Sequence, residues 1–182
     1  NGHFYETGLS LAIARLNPWI LSPERFGEGL KRLKEVVHYG GHTTIGDMAT
    51  GLFDFESEVS ALNQVLEGED VPFRTRLVAH GSYVRNWGDT LEESVELAAK
   101  LVNRNTHRLQ FGNHIKLFSD GAFFSQLAQM EPPGYIDGHH GEWLMPPELL
   151  EDNVRAYWHA GFQIHVHCCG NLGIELTLDI LE

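Results

Sequence analysis

The sequence has few of the features that mark membrane or nucleic-acid-binding proteins. It holds no run of about 18 apolar residues that could span a bilayer, and it opens with neither a charged leader nor a cleavage site, so we expect no membrane association. Basic residues are scarce, with 13 Lys and Arg against 25 Asp and Glu. Because nucleic acids are bound through clustered positive charge, we also expect no nucleic-acid partner.

Cysteine is scarce as well. The two cysteines, Cys168 and Cys169, are adjacent, which provides neither a disulfide framework nor the ligand spacing of a zinc finger. This scarcity of cysteine favours a cytoplasmic location. Both thiols are predicted to be buried and chemically inert. The remaining composition, 42% hydrophobic and 21% charged over 182 residues, is ordinary for a globular protein with one sizeable core.

Helical and extended patterns alternate along the chain. Apolar residues recur at helical spacing, and two helix starts are marked, one by Pro23 in a first turn and one by a capping box from Thr90 to Glu93. The predicted helices begin at Ser22, Phe55, Thr90 and Pro146 and just after Gly170, and the predicted strands occupy residues 42–47, 73–79, 113–118 and 162–167. The order is therefore one helix followed by four strand-helix units.

Such alternation predicts an α/β fold with a parallel sheet and right-handed crossovers. The sheet is either part of an eight-stranded barrel or an open flavodoxin-like one, although no glycine-rich phosphate loop supports the open alternative. Four strands cannot close a barrel, so we expect residues 1–182 to form an incomplete (β/α)8 TIM-barrel domain, about strands 2–5, with residues 1–23 leading into it. Its unpaired sheet edges predict self-association of the isolated chain.

Residues with ionisable side chains occupy the last two predicted strands. Lys116 lies in the third strand, and the fourth ends at His167. Ligands approach the carboxyl ends of parallel strands in such folds, so a lysine on one strand and a histidine on the next indicate a metal site. The long connection over residues 122–145, on the same side, is typical of a lid or substrate-binding loop. Its two histidines at 139–140 are predicted to be solvated.

Four segments, taken in order, resemble the amidohydrolase superfamily. They are Gly-His-Thr-Thr-Ile-Gly-Asp at 41–47, Ile-Lys-Leu-Phe-Ser-Asp-Gly at 115–121, Pro-Gly-Tyr-Ile-Asp-Gly at 133–138 and Gly-Phe-Gln-Ile-His-Val-His-Cys-Cys-Gly-Asn at 161–171. They are most similar to the branch sometimes labelled amidohydrolase family 3, the metal-dependent hydrolases that include N-substituted formamide deformylase. The resemblance covers nearly the whole chain.

The resemblance implies a barrel with metal ligands at its strand ends: a His-x-His pair on strand 1, a lysine on strand 4, histidines on strands 5 and 6 and an aspartate on strand 8. By position, Lys116 is the strand 4 lysine and His167 the strand 5 histidine. The other ligands have no counterpart in this stretch, which we therefore expect to be inactive alone and to hold a metal weakly or not at all. Asn171 stands where relatives usually carry an aspartate.

The chemistry implied by the resemblance explains these residue types. Burial favours the neutral amine of a lysine, which can add carbon dioxide to become a carboxylated lysine with oxygen ligands. One or two divalent ions, expected to be Zn²⁺, would lower the pKa of a bound water to about 7 and polarise the carbonyl it attacks. The implied function is a metal-dependent hydrolase of non-peptide carbon-nitrogen bonds, of amide, formamide or cyclic amide type, in a small-molecule substrate. The alternative is a non-catalytic binding or regulatory protein that keeps the barrel.

Other polar residues are candidates for support around the metal. Asp120 is predicted to shape the catalytic site or to orient a ligand. His165 shares a strand face with the histidine ligand and is predicted to pack beside the site or to support a ligand. Asn171, Asp47 and Glu6 are candidates for contact with the substrate or the ligands, although capping is the simpler role for Asp47.

Overall fold

The structure is a computed structural model that describes residue 4 and residues 8–52 and 54–182. The helices are α1 (Leu9–Ile20), α2 (Pro23–Tyr39), α3 (Phe55–Leu66), α4 (Gly81–Val84), α5 (Leu91–Ala99), α6 (Pro147–His159) and α7 (Asn171–Leu181). The strands are β1 (Thr44–Thr50), β2 (Arg74–His80), β3 (Leu109–Phe118) and β4 (Gln163–His167), and short 3-10 turns occupy Lys100–Arg104 and Phe123–Ser125. Within the described ranges, no helix is both long enough and apolar enough to cross a membrane.

The four strands run parallel and lie in the sheet in chain order, β1-β2-β3-β4. The register between β1 and β2 pairs Thr44 with Arg74 and Asp47 with Leu77, and it shifts before Thr50. Helical segments connect each strand to its parallel neighbour, as in a (β/α) barrel. The structure therefore confirms the predicted α/β fold of an incomplete (β/α)8 barrel.

The predicted elements are found with shifted ends. Helix α3 has the predicted bounds, whereas β1 begins only at Thr44, because Gly41 turns the chain with a φ of +70°. Two helices, α1 and α4, were not predicted. Helix α1 contains Pro18, whose missing N–H and bulky ring normally argue against the interior of a helix.

Side-chain caps mark two of the helix starts as the sequence predicts. Ser22 Oγ accepts a hydrogen bond from the Arg25 N–H at 3.3 Å before α2, and Thr90 Oγ1 accepts one from the Glu93 N–H at 3.2 Å before α5. The Glu93 carboxylate in turn accepts a bond from the Asp89 N–H at 2.8 Å. These bonds satisfy backbone N–H groups that the first helical turn leaves without partners.

The chain divides into two compact units, residues 14–115 and residues 116–182 together with 1–13. In the first of these, the ring of Phe55 at the start of α3 contacts Trp87 edge-on at 4.8 Å and Phe111 of β3 at 5.9 Å. Aromatic pairs of this kind add to the free energy gained by burying apolar area. Phe55 thus fixes the start of α3 against β3 within this unit.

In the other unit, α6 packs against β4. The ring of Tyr157 in α6 meets Phe162 edge-on at 5.1 Å. Both residues are buried, and burial raises the pKa of Tyr157 to about 12. Other buried apolar side chains of this unit are Leu117, Leu127, Met145, Leu150 and Val154.

The long connection over residues 122–145 is held by backbone hydrogen bonds. The carbonyl of Leu127 accepts bonds from the N–H groups of Gly121 at 3.1 Å and Glu142 at 3.0 Å, which closes the connection back on the end of β3. Its surface carries the exposed apolar side chains Phe123, Phe124 and Ile136. The predicted use of this connection as a lid or substrate-binding loop stays a prediction.

Candidate functional site

The carboxylate of Asp120 is fully buried just after β3, and each of its oxygens accepts two hydrogen bonds. Oδ1 accepts from the Ser119 hydroxyl at 3.0 Å and from the Cys169 N–H at 2.9 Å. Oδ2 accepts from the N–H groups of Gln129 at 2.8 Å and Gly170 at 2.7 Å. This set of donors offsets the cost of burying a charge. Asp120 therefore ties together the end of β3, the long connection and the segment between β4 and α7.

Two glycines permit this close packing. A Cβ on Gly173 would lie 2.7 to 2.9 Å from the carboxylate atoms of Asp120, and a Cβ on Gly170 would collide with the carbonyl of Gln129. Both positions therefore require a residue without a side chain. The four bonds of Asp120 go to donors of the protein itself, so its carboxylate braces the chain segments around the strand ends.

Hydrogen bonds join the ends of β3 and β4 next to the carboxylate of Asp120. The N–H of Ser119 donates to the carbonyl of His167 at 2.9 Å. The Ser119 hydroxyl lies 2.9 Å from the same carbonyl and 3.0 Å from Asp120 Oδ1, so its single proton is shared between these two acceptors. The carbonyl of Ser119 accepts from the N–H of Leu144 in the long connection at 3.0 Å. Lys116 and His167, which the sequence predicts as metal ligands, thus belong to neighbouring strands of one unit.

The Lys116 side chain is half-buried on β3, with its Nζ 4.9 Å from the centre of the Phe118 ring. Burial lowers the pKa of Lys116 below its usual value, although negative charge on Cys168 and Cys169 would act in the opposite direction. A lower pKa leaves more of the amine neutral, and only the neutral amine is a nucleophile. The reaction of Lys116 with carbon dioxide stays a prediction.

The imidazole of His167 contacts the thiol of Cys169. His167 Nε2 lies 3.3 Å from Cys169 Sγ, and the ring of Phe118 packs beside the imidazole with 5.5 Å between ring centres. Both polar side chains are half-buried. This contact was not predicted, although the His-x-Cys spacing is a signal for it, because residues two apart on an extended chain lie on the same side.

The neighbouring thiol, Cys168, has different surroundings. Burial raises the pKa of Cys168, and the negative charge of Asp120 acts in the same direction, whereas a hydrogen bond with Thr177 acts against them. A raised pKa keeps the side chain in its protonated, unreactive form. Cys168 is thus suited to the inert role predicted for both cysteines.

Two further candidates lie on or beside β4. His165 is half-buried, two residues before His167 and on the same strand face. Asn171 is exposed at the start of α7, and its Oδ1 accepts a hydrogen bond from the N–H of Glu131 at 3.1 Å. Asn171 therefore links α7 to the long connection. A role of either residue in substrate contact stays a prediction.

Asp47 belongs to the unit of residues 14–115, where its carboxylate turns back onto its own strand. It accepts hydrogen bonds from the Ala49 N–H at 3.3 Å and from Thr50 Oγ1 at 3.0 Å. Burial raises the pKa of Asp47 above its usual value. These bonds lie within β1, and the residue that caps the following helix, α3, is Asp54; contact of Asp47 with the substrate or the ligands stays a prediction. Glu6 lies outside the described residues.

The donor types at the strand ends fit a divalent metal. They are the imidazole nitrogen of His167, the thiol of Cys169 and the amine of Lys116, which becomes an oxygen ligand when it is carboxylated. Among the residues that the structure describes, no three His, Cys, Asp or Glu side chains cluster as a complete metal site. Zinc sites in proteins use at least three protein ligands. The assignment of Lys116 and His167 as metal ligands therefore stays a prediction.

Comparison with known protein families found none that matches the chain. In sequence, the chain is 26% identical over 157 residues to the exoenzymes regulatory protein AepA of Pectobacterium carotovorum subsp. carotovorum, over 86% of this chain and 32% of that protein. It is 27% identical over 130 residues to a protein named as the amidohydrolase YtcJ of Bacillus subtilis (strain 168), over 71% of this chain and 22% of that protein. The chain thus spans a third or less of the length of these relatives.

Two solved structures share the fold. They are uncharacterized metal-dependent hydrolases from Pyrococcus horikoshii OT3 and Pyrococcus furiosus, each with a TM-score of 0.68 over 97% of this chain. The sequence identities are 20% and 21%, and the match covers 34% and 35% of those chains. Together with the similarity to YtcJ, these likenesses support an amidohydrolase-type fold. The narrower family 3 branch stays a prediction.

Proposed function

We propose that the protein carrying these residues is a metal-dependent hydrolase of small molecules that cleaves carbon-nitrogen bonds other than ordinary peptide bonds. The observation that carries the proposal is the placement of Lys116 and His167 on neighbouring parallel strands whose ends are joined by hydrogen bonds. Catalytic residues of (β/α) barrels lie at such strand ends. The names of YtcJ and of the two similar structures, an amidohydrolase and metal-dependent hydrolases, support this class of reaction.

Lys116 and His167 would hold the metal, for which we propose Zn²⁺. The neutral amine of Lys116 would attack carbon dioxide to form a nitrogen-carbon bond and release one proton to solvent, leaving a carbamate with two oxygen donors. His167 would present Nε2, the atom that faces Cys169 in the structure. When bound, the metal supplies an activated water and polarises the substrate carbonyl.

Asp120 acts in this proposal as a positioning residue. Its bonds to the N–H groups of Cys169 and Gly170 fix the backbone just after His167. Its bond to the Gln129 N–H fixes the long connection beside the same strand end. Such supporting contacts hold ligands in the orientation that a metal requires. We propose that residues 122–145 cover or contact the bound substrate.

A second candidate function is a non-catalytic regulatory or binding role on the same scaffold. The observation that favours it is the similarity to AepA, a protein named for the regulation of exoenzymes. The absence of a complete metal site among the described residues is compatible with either function. The presence of a required metal separates the two, because a hydrolase of the proposed type does not work without one.

The test uses the natural protein in its full length, with metal content measured by mass spectrometry and activity assayed on N-formyl amines, N-acyl amino acids and cyclic amides. We expect one or two equivalents of a divalent metal, hydrolysis of at least one substrate class, loss of that activity on chelation and its return with Zn²⁺. A matched sample of the 182 residues alone should be inactive. A full-length protein that binds no metal and hydrolyses none of these substrates would instead support the regulatory role.

A further inference from the structure

The pair formed by His167 and Cys169 has the separation of two ligands on one metal ion. Zinc binds imidazole nitrogen at about 2.0 Å and thiolate sulfur at about 2.3 Å in tetrahedral geometry, so the two ligand atoms lie about 3.5 Å apart. The distance between His167 Nε2 and Cys169 Sγ is 3.3 Å. A metal ion could therefore be bound by both atoms after a small outward shift of the side chains.

The backbone beneath this pair is held in place. The carbonyl of His167 accepts a bond from the Ser119 N–H at 2.9 Å, and the N–H of Cys169 donates to the buried carboxylate of Asp120 at 2.9 Å. The next N–H, of Gly170, donates to the same carboxylate at 2.7 Å. The two side chains are thus presented from a fixed chain segment. Prior ordering of ligands lowers the entropic cost of binding.

The third member of this cluster is Lys116. Its Nζ lies 4.9 Å from the centre of the Phe118 ring, and the same ring lies 5.5 Å from the imidazole of His167, so Lys116 and His167 share Phe118 as a neighbour. The half-buried positions of all three side chains reduce competition from bulk water. Imidazole, thiol and a lysine-derived carboxylate together form a mixed nitrogen, sulfur and oxygen donor set.

We propose that Cys169 is an additional ligand of the metal, which makes the site selective for thiophilic divalent ions such as Zn²⁺, Co²⁺ and Cd²⁺ over Mg²⁺ and Mn²⁺. This inference rests on the proposed function, since it places Cys169 on the same metal as His167. When the metal binds, the Cys169 thiol gives its proton to the buffer, and the sulfur replaces one water of the metal. No redox step is involved.

The experiment replaces the native metal of the full-length protein with Co²⁺ and records the near-ultraviolet absorption that a thiolate-to-cobalt charge transfer produces. Cys169→Ser is compared with Cys168→Ser, the adjacent thiol that hydrogen-bonds Thr177 instead. We expect the band in the wild type and in Cys168→Ser and its loss in Cys169→Ser. Competition with a chromogenic chelator should show at least about a tenfold loss of Zn²⁺ affinity in Cys169→Ser alone.

The outcomes separate the two proposals. Binding of Co²⁺ without a thiolate band, with Zn²⁺ affinity equal in Cys169→Ser and wild type, overturns the role of Cys169 and leaves the hydrolase proposal standing. A wild-type protein that binds neither ion overturns both. If Cys169→Ser fails to fold, Cys169→Ala replaces it in the same experiments. The affinities of the wild type for Cd²⁺ and Mn²⁺ give a test that needs no variant. Tighter binding of Cd²⁺ is expected, and equal affinity for the two ions contradicts the inference.

Discussion

The carboxylate of Asp120 lies directly against the backbone of Gly173 in α7. A Cβ at Gly173 would come within 2.7 Å of the carboxylate carbon and 2.9 Å of each oxygen. The carboxylate is fully buried and bonded through both oxygens, so it cannot easily move away. Helix α7 thus packs against the carboxylate of Asp120 only because residue 173 has no side chain.

Gly173→Ala should therefore destabilise the protein by about 1–3 kcal/mol, the usual cost of forcing extra volume into a packed site. The intrinsic preference of helices for Ala, about 1 kcal/mol, acts in the opposite direction and is exceeded. Urea denaturation measures the difference. The matched control is Gly29→Ala in α2, where a Cβ would meet nothing within 4 Å. That variant should be as stable as the wild type or more so, and equal behaviour of the two variants would show that the contact is not tight.

Asp120→Asn should cost about 3 kcal/mol or more, because an amide places an NH₂ group where two N–H or O–H donors now point at an oxygen. The loss should also reach the strand ends, since Cys169 and Gly170 donate to different oxygens of Asp120 and one of the two loses its acceptor. Thermal unfolding and amide hydrogen exchange at residues 169–170 are the measurements. Asp152→Asn, on the exposed side of α6, is the control and should change stability by less than about 0.5 kcal/mol. Unchanged exchange at residues 169–170 in Asp120→Asn would contradict the bracing role.

His139 in the long connection should make that connection sensitive to pH. Its Nε2 lies 2.5 Å from the Gln126 carbonyl and its Nδ1 2.5 Å from the Asp137 carboxylate, so both nitrogens face acceptors and the ring must be protonated to donate to both. The bond to Gln126 and then the one to Asp137 raise the pKa of His139 above 6.5. Tyr135 stacks on the ring with 4.5 Å between ring centres.

Because the pKa of His139 is raised in the folded protein, the hydrogen bonds of its protonated ring stabilise the long connection fully below about pH 6.5. The contribution is lost as the pH rises through the folded pKa. Titration of the His139 ring protons by NMR should give a value above that of a free histidine, and Asp137→Asn should lower it. The protection factor for hydrogen exchange of the Gly138 N–H, which donates to Tyr135, should fall over the same pH range. An unshifted pKa would contradict this account.

The fold and the ligand candidates could be predicted from the sequence because they depend on local patterns. Helix α3 keeps its predicted bounds since helical spacing and an Asp54 cap act within a few residues. Lys116 and His167 could be placed because they occupy strands whose parallel order follows from alternation with helices. These predictions needed only short stretches of chain and the resemblance.

What the sequence could not predict depends on contacts between distant backbone groups. The carboxylate of Asp120 bonds N–H groups of Gln129 and Gly170, and every non-proline residue has such a donor, so side-chain identity leaves no signal. Helix α1 was missed because Pro18 argues locally against it, whereas tertiary packing can override that preference. The His167–Cys169 contact was missed because the adjacent cysteines were treated as a pair with one role.

The proposed conversion of Lys116 into a carboxylated metal ligand can be tested by measuring the metal content and turnover of Lys116→Ala in the full-length protein. We expect both to fall, turnover by more than about 100-fold, because the ligand formed from the amine is lost. Lys116→Arg should fail as well, since a guanidinium stays protonated and does not add carbon dioxide. Added acetate or propionate should restore part of the activity of Lys116→Ala by supplying a carboxylate, but none of that of His167→Ala, which lacks an imidazole. Wild-type metal content and turnover in Lys116→Ala would contradict the claim.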